Sequence, residues 1–191
     1  RLQMNRFFNS LIGYPIIAEV NTLEEFDLAL ESICQNIFMM TGNIFNLRQL
    51  CKKAHSKSKN IYIYIDAIEG YSKDSWGLEF ISKNIEIDGI ITSKPALMEQ
   101  SKEMGIFTLG RFSVYNEYKL NYTIEKIKET RPHCAIVLPG VLSHLMVKII
   151  EETKTPLISS GFLDTREAVI KSLESGATGI STVHFTKEDI Y

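Results

Sequence analysis

Residues 156–182 read PLISSGFLDTREAVIKSLESGATGIST, and this stretch decides the fold. A short apolar run, PLISS, passes through a glycine turn into an amphipathic segment, and a second short run, TGIST, follows. Asp164 with Glu167 three positions later predicts the start of a helix. Val169 and Leu173 supply its buried face, and Gly176 suits its left-handed stop. Strand, helix and strand in this order make a parallel pair joined by a right-handed crossover.

Working outward, the same unit recurs along the chain. Strand-like runs begin at Pro15 (PIIAEV), Asn36 (NIFMMT), Asn60 (NIYIYID), Asp88 (DGIITS), Ile106 (IFTLGR) and Cys134 (CAIVLP), which makes eight in all. Each is nearly continuously apolar, as parallel strands covered on both faces must be. The intervening stretches change to helical period. Leu23, Phe26, Leu30 and Ile33 define the face of the first, and Thr22 with Glu25 forms its capping box. Pro95 opens the helix after DGIITS and Gly105 closes it. Leu142, Leu145 and Ile149 form the stripe of the sixth unit's helix, and a last helix is expected from Thr186 to Tyr191. Eight units favour an α/β closed barrel of the compact (β/α)8 TIM type over an open doubly wound sheet. No linker or shift of composition divides residues 1–191, so one domain is expected. Residues 1–14 (RLQMNRFFNSLIGY) read as a helical segment capping its lower end. The first residue is Arg rather than Met, which reads as a trimmed start.

The 191 residues suffice for one buried core. With 21 basic and 23 acidic side chains, the formal charge of −2 gives no global field to attract nucleic acid or anionic lipid. Three separated cysteines, Cys34, Cys51 and Cys134, read as reduced core thiols in a cytoplasmic setting. No apolar run approaches the ~20 residues of a membrane span. No metal-ligand spacing, cofactor motif or assembled catalytic constellation is present.

In such barrels the loops after the strands build the site. Those positions hold Glu19, Asn43, Asp66, Glu69, Lys94, Arg111, Ser160, Gly161, Ser181 and Thr182, and these are the candidate ligand-binding residues. The loops after strands seven and eight suit a phosphate: backbone N–H groups near a helix N-terminus favour an anion. Gly161 permits close approach there, and Ser160, Ser181 and Thr182 offer hydroxyls. Asp66 suits either a ligand hydroxyl or an ion pair with Lys94. Arg111 suits bidentate recognition of an anion or a structural carboxylate partner. A Schiff-base role for Lys94 is disfavoured, because a neighbouring carboxylate raises a lysine's pKa. A basic run, Arg48, Lys52, Lys53, Lys57 and Lys59, reads either as a solvated helix face or as an RNA contact.

The segments TGNIFNL (41–47), YIDAIEGYSKDSWGLEFI (64–81), DGIITSK (88–94), LPGVL (138–142) and PLISSGF with GATGIST (156–182) resemble the glycerol uptake operon antiterminator regulatory proteins. The resemblance runs in order from Ile16 to Ile190, and the IDxIEG stretch with its following S-K-D is the most specific piece. It implies a bacterial cytoplasmic TIM-type barrel that responds to glycerol 3-phosphate and acts on leader mRNA of glycerol-utilisation genes, preventing premature termination. Asp66, Glu69 and Lys94 match the family's motif carboxylates and lysine. Gly161, Ser181 and Thr182 match its phosphate-type loops, and Arg111 an arginine ending its fifth strand. The chain departs from the pattern at Ala18-Glu19 (Pro-Ala), Tyr64 (His), Gly110 (Gln), Val137 (Glu) and Ser160-Gly161-Phe162 (Gly-Gly-Leu). The expected partners are glycerol 3-phosphate or a similar phosphorylated molecule, leader mRNA, and a second copy of the chain; no membrane contact is expected. The alternative is a small isomerase or lyase for a phosphorylated metabolite, with Asp66 or Glu19 as general base and Lys94 stabilising charge. A third reading is a barrel acting through protein contacts alone.

Overall fold

The computed structural model describes residues 1–191. Eight parallel strands close a barrel in sequence order, with the last hydrogen-bonded back to the first. The strands are β1 (Ile16–Val20), β2 (Asn36–Met39), β3 (Asn60–Tyr64), β4 (Gly89–Thr92), β5 (Thr108–Ser113), β6 (Cys134–Leu138), β7 (Leu157–Ser160) and β8 (Gly179–Thr182). Helix α1 (Leu2–Gly13) precedes them. The crossovers are α2 (Leu23–Glu31), α3 (Leu47–Ser56), α4 (Ser75–Asn84), α5 (Pro95–Glu103), α6 (Glu117–Thr130), α7 (Ser143–Thr153) and α8 (Arg166–Glu174). No helix is long and apolar enough to cross a membrane.

Strand register sorts the barrel interior into layers supplied by alternate strands. The lowest layer from the odd strands is Ile17, Tyr62, Leu109 and Ile158; the even strands then place Phe38, Ile91, Ile136 and Ser181. Above these the odd strands place Glu19, Tyr64, Arg111 and Ser160, the uppermost of the four-residue layers. Gly89 also faces inward: a Cβ there would meet the Tyr62 ring at 2.9 Å, so the bulk of Tyr62 is matched by the absence of a side chain.

Helix α1 packs against the lower end. Phe7 is fully buried beneath the layers, with its ring 5.0 Å from Tyr62, 5.2 Å from Phe107 and 6.3 Å from Phe38. Burying such a ring contributes about 1.5–3 kcal/mol. The buried Asp88 carboxylate fastens the same pole. It accepts the Ile61 N–H at 2.8 Å, meets His55 Nε2 at 2.8 Å and lies 3.5 Å from Arg6 of α1. Outside the strands, two apolar clusters fill the space beneath the helices. The cysteines are free and buried.

Several expectations are corrected in detail. In α2 only Phe26 and Ala29 are buried, with Leu30 partly so; Leu23 is exposed, because a nine-residue helix turns only one narrow stripe to the sheet, and Ile33 is exposed past the C-cap Ser32, outside the helix. Thr22 Oγ1 accepts the Glu25 N–H at 3.1 Å, but the Glu25 carboxylate reaches back to Asn21 N, one residue beyond the usual box. The cap of α8 is Thr165, not Asp164, with Thr165 Oγ1 accepting the Ala168 N–H at 3.2 Å. Leu142 sits at the N-cap of α7 and is exposed. Strand β5 starts at Thr108 rather than Ile106. Residues 186–191 form turns instead of a helix, held by Lys187 N to the His184 carbonyl and Ile190 N to the Lys187 carbonyl.

Candidate functional site

The uppermost layer forms the floor of the barrel mouth and is polar throughout. Arg111 lies over the Tyr64 ring, 5.2 Å from its centroid, a favourable cation–π geometry. The Tyr64 hydroxyl is 3.0 Å from Ser93 Oγ. On the opposite side Ser160 Oγ donates to Glu19 Oε2 at 3.3 Å. The floor thus divides into a guanidinium–aromatic half on β3 and β5 and a carboxylate–hydroxyl half on β7 and β1. Arg111 makes no ion pair, so its charge is available to a ligand.

Above the second half lie the loops after β7 and β8. Gly161 has φ +90°, a conformation open to glycine at little cost, and Phe162 follows at φ +58°. The N–H groups of Gly161, Phe162 and Val183 have no acceptor within the protein. Three unclaimed donors on adjacent loops are what an oxyanion needs. The hydroxyls contribute less than expected. Ser181 is buried in the middle layer, beneath the floor. Thr182 faces outward, donating to the Leu163 carbonyl at 2.9 Å and accepting the His184 N–H at 3.0 Å. Its role is to hold the two loops together.

The remaining rim residues are mostly engaged with one another. Asp66 lies in a 3-10 turn, Ile65–Ala67, rather than on a strand end. Its carboxylate accepts Thr92 Oγ1 at 2.6 Å and Ser93 N at 2.8 Å. It makes no ion pair with Lys94, whose ammonium donates to the Lys73 carbonyl at 3.3 Å. Asn43 Oδ1 accepts from Phe45 N and Asn46 N, closing its own turn. The backbone of Glu69 bridges to that loop through Gly42 and Ile44, leaving the Glu69 side chain exposed.

Two residues near the mouth are not among the candidate ligand-binding positions read from the sequence. Tyr64 is an inward position of β3, visible once the parity of the strand is known. Lys73 belongs to the S-K-D that follows IDxIEG. Its ammonium donates to the Ile65 carbonyl at 3.0 Å and to the Ile68 carbonyl. Burial pulls its pKa below the usual lysine value, opposed by the nearby Asp66.

The basic run is not one surface. Arg48, Lys52 and Lys53 are exposed on α3, and Lys57 pairs with Glu31 at 2.7 Å. Lys59 is buried and donates to the carbonyls of Ser32 and Cys34 at 2.6 and 2.7 Å, which removes it from any external contact. An apolar groove of about 620 Å³ lies beside the mouth, lined by Val114, Leu120, Leu138, Leu145 and Phe162, among others. Gly161 borders both.

Fold and mouth together define a (β/α)8 barrel with a polar floor and unpaired backbone N–H groups at its rim. The chain belongs to the glycerol-3-phosphate responsive antiterminator family, whose model matches residues 16–187. It is 26% identical over 170 residues, 89% of each chain, to an uncharacterized protein of Escherichia coli (strain K12), YgcP. Its barrel is similar to that of a glycerol uptake operon antiterminator regulatory protein from Listeria monocytogenes: TM-score 0.85, 23% identity, 89% of this chain and 92% of that one. It is likewise similar to an antiterminator-related protein from Thermotoga maritima, with TM-score 0.80, 24% identity, and 89% and 95% coverage.

Proposed function

We propose that this protein is a cytoplasmic, non-enzymatic sensor of glycerol 3-phosphate that engages leader mRNA of glycerol-utilisation genes and prevents premature termination. The observation that carries the ligand reading is the trio of unclaimed N–H groups at Gly161, Phe162 and Val183 above a floor bearing Arg111. The phosphate sits on the N–H groups, and the glycerol moiety turns down toward the floor. Asp66 does not act as a general base in this reading, because both of its oxygens are occupied by Thr92 and Ser93. Family membership supports the regulatory reading over an isomerase or lyase. For RNA, the exposed Arg48, Lys52 and Lys53 supply the phosphate contacts.

Calorimetry and thermal unfolding with glycerol 3-phosphate test the ligand. At a hundredfold excess over Kd, binding stabilises the fold by about 2.7 kcal/mol. No heat and no thermal shift at millimolar ligand would overturn the assignment. The RNA half is tested by titrating a leader transcript with and without glycerol 3-phosphate at two salt concentrations. Affinity that responds to neither ligand nor salt would refute it.

A further inference from the structure

Glu19 is the acidic side chain of the mouth floor, and it is half-buried at the end of β1. No Lys, Arg or His nitrogen lies within ion-pair distance of it. Arg111, the cation of the same layer, stands on β5, on the opposite wall, and is turned over Tyr64. One Glu19 oxygen accepts from Ser160 Oγ, and Oε1 has no hydrogen-bond partner. Ser160 leads directly into Gly161 of the anion seat. A carboxylate beside such a seat repels the anion, so its presence there serves a different part of the ligand.

An ionised carboxylate is an acceptor only. What it can hold is a donor, and the neighbouring Ser160 hydroxyl, whose proton goes to Glu19 Oε2, can only accept from a ligand. Two acceptors side by side match a pair of donating hydroxyls. An ammonium, with three donors and a full charge, would call for more acceptors than this corner supplies. We propose that Glu19 reads the hydroxyl-bearing part of the ligand, so that the mouth selects a phosphorylated polyol over a simple alkyl phosphate. The hydroxyl nearest the phosphate donates to Glu19 Oε1, and Ser160 orients the carboxylate. This rests on the phosphate reading of the loops after β7 and β8.

The test is calorimetry with glycerol 3-phosphate, n-propyl phosphate and inorganic phosphate on the wild-type chain, Glu19→Gln and Glu19→Ala. The wild type should prefer glycerol 3-phosphate over propyl phosphate by about tenfold or more, the size expected for a hydrogen bond to a charged group. In Glu19→Ala that preference should collapse, while propyl phosphate binds equally well or better because the repulsion is gone. Glu19→Gln keeps the shape and should reduce the preference, since a neutral amide oxygen is a weaker acceptor. It carries the test if the alanine variant does not fold. A preference undiminished in both variants overturns the role of Glu19 and leaves the anion seat standing. Failure of all three probes to bind the wild type or either variant overturns the phosphate reading and this proposal with it.

Discussion

The Asp66 carboxylate accepts the backbone N–H of Ser93 at 2.8 Å, so the turn that ends β3 is fastened to the chain leaving β4. Its other oxygen takes the hydroxyl of Thr92, and that hydroxyl accepts the Lys94 N–H at 3.1 Å. Asp66 thus shapes the rim from beneath. Asp66→Ala should lower the unfolding free energy by about 2 kcal/mol, as loss of hydrogen bonds to a charged group does. Asp66→Asn should cost less. Urea unfolding measures both. Wild-type stability combined with lost ligand binding would mean that Asp66 touches the ligand instead.

Gly161→Ala probes the proposed anion seat. A Cβ at this position would meet nothing closer than 3.6 Å, so the cost arises from holding alanine at φ +90° and not from a clash. That strain is about 1–3 kcal/mol. The variant should unfold at lower temperature and bind glycerol 3-phosphate more weakly, because relief of the strain moves the Gly161 and Phe162 N–H groups. A variant equal to wild type in both measurements contradicts the assigned geometry.

The basic run should divide into two behaviours. Lys59→Ala leaves the Ser32 and Cys34 carbonyls without their donor and should destabilise by about 1–3 kcal/mol. The pair Lys52→Ala and Lys53→Ala should leave stability within about 0.5 kcal/mol of wild type. It should also reduce the log–log salt slope of RNA binding by about 1 for each RNA phosphate that is no longer neutralised. An unchanged slope would place the RNA elsewhere.

His133 gives stability a pH dependence of known sign. Its Nδ1 accepts the Thr108 N–H at 3.0 Å, which requires the neutral ring. Burial, with Lys102 nearby, holds its pKa below the ordinary 6.5. Between the folded pKa and 6.5 the unfolded chain binds the proton and the folded chain does not, so this contribution is present above 6.5 and is lost as pH falls through that window. His133→Asn keeps an acceptor for Thr108 and should show a flatter fall in urea midpoint between about pH 7 and pH 5.

The strands are legible because parallel strands buried on both faces leave continuous apolar runs, and seven of the eight predicted starts lie within about one residue of the observed ones. That same continuity hides parity. In GIST nothing distinguishes Ser181, which points into the barrel, from Thr182, which points out to the Leu163 carbonyl. The run NIYIYID continues the β pattern to Asp66, but the chain turns at Ile65, where Lys73 gathers the carbonyls of the turn. A contact between residues eight apart through a loop leaves no periodic trace. Lys59 is concealed for a related reason: its partners, Ser32 and Cys34, lie 25 or more residues away. Glu19, Arg111 and Ser160 are legible as candidates because polar residues ending apolar strands mark the loop end of the barrel.

The packed lower layers, with Phe7 wedged beneath them, make the barrel a blind well. A molecule held on its floor would leave by the open end, whose rim includes Gly161 and Phe162. A macromolecule that seated across that rim and raised the small molecule's affinity would have its own affinity raised by the same factor.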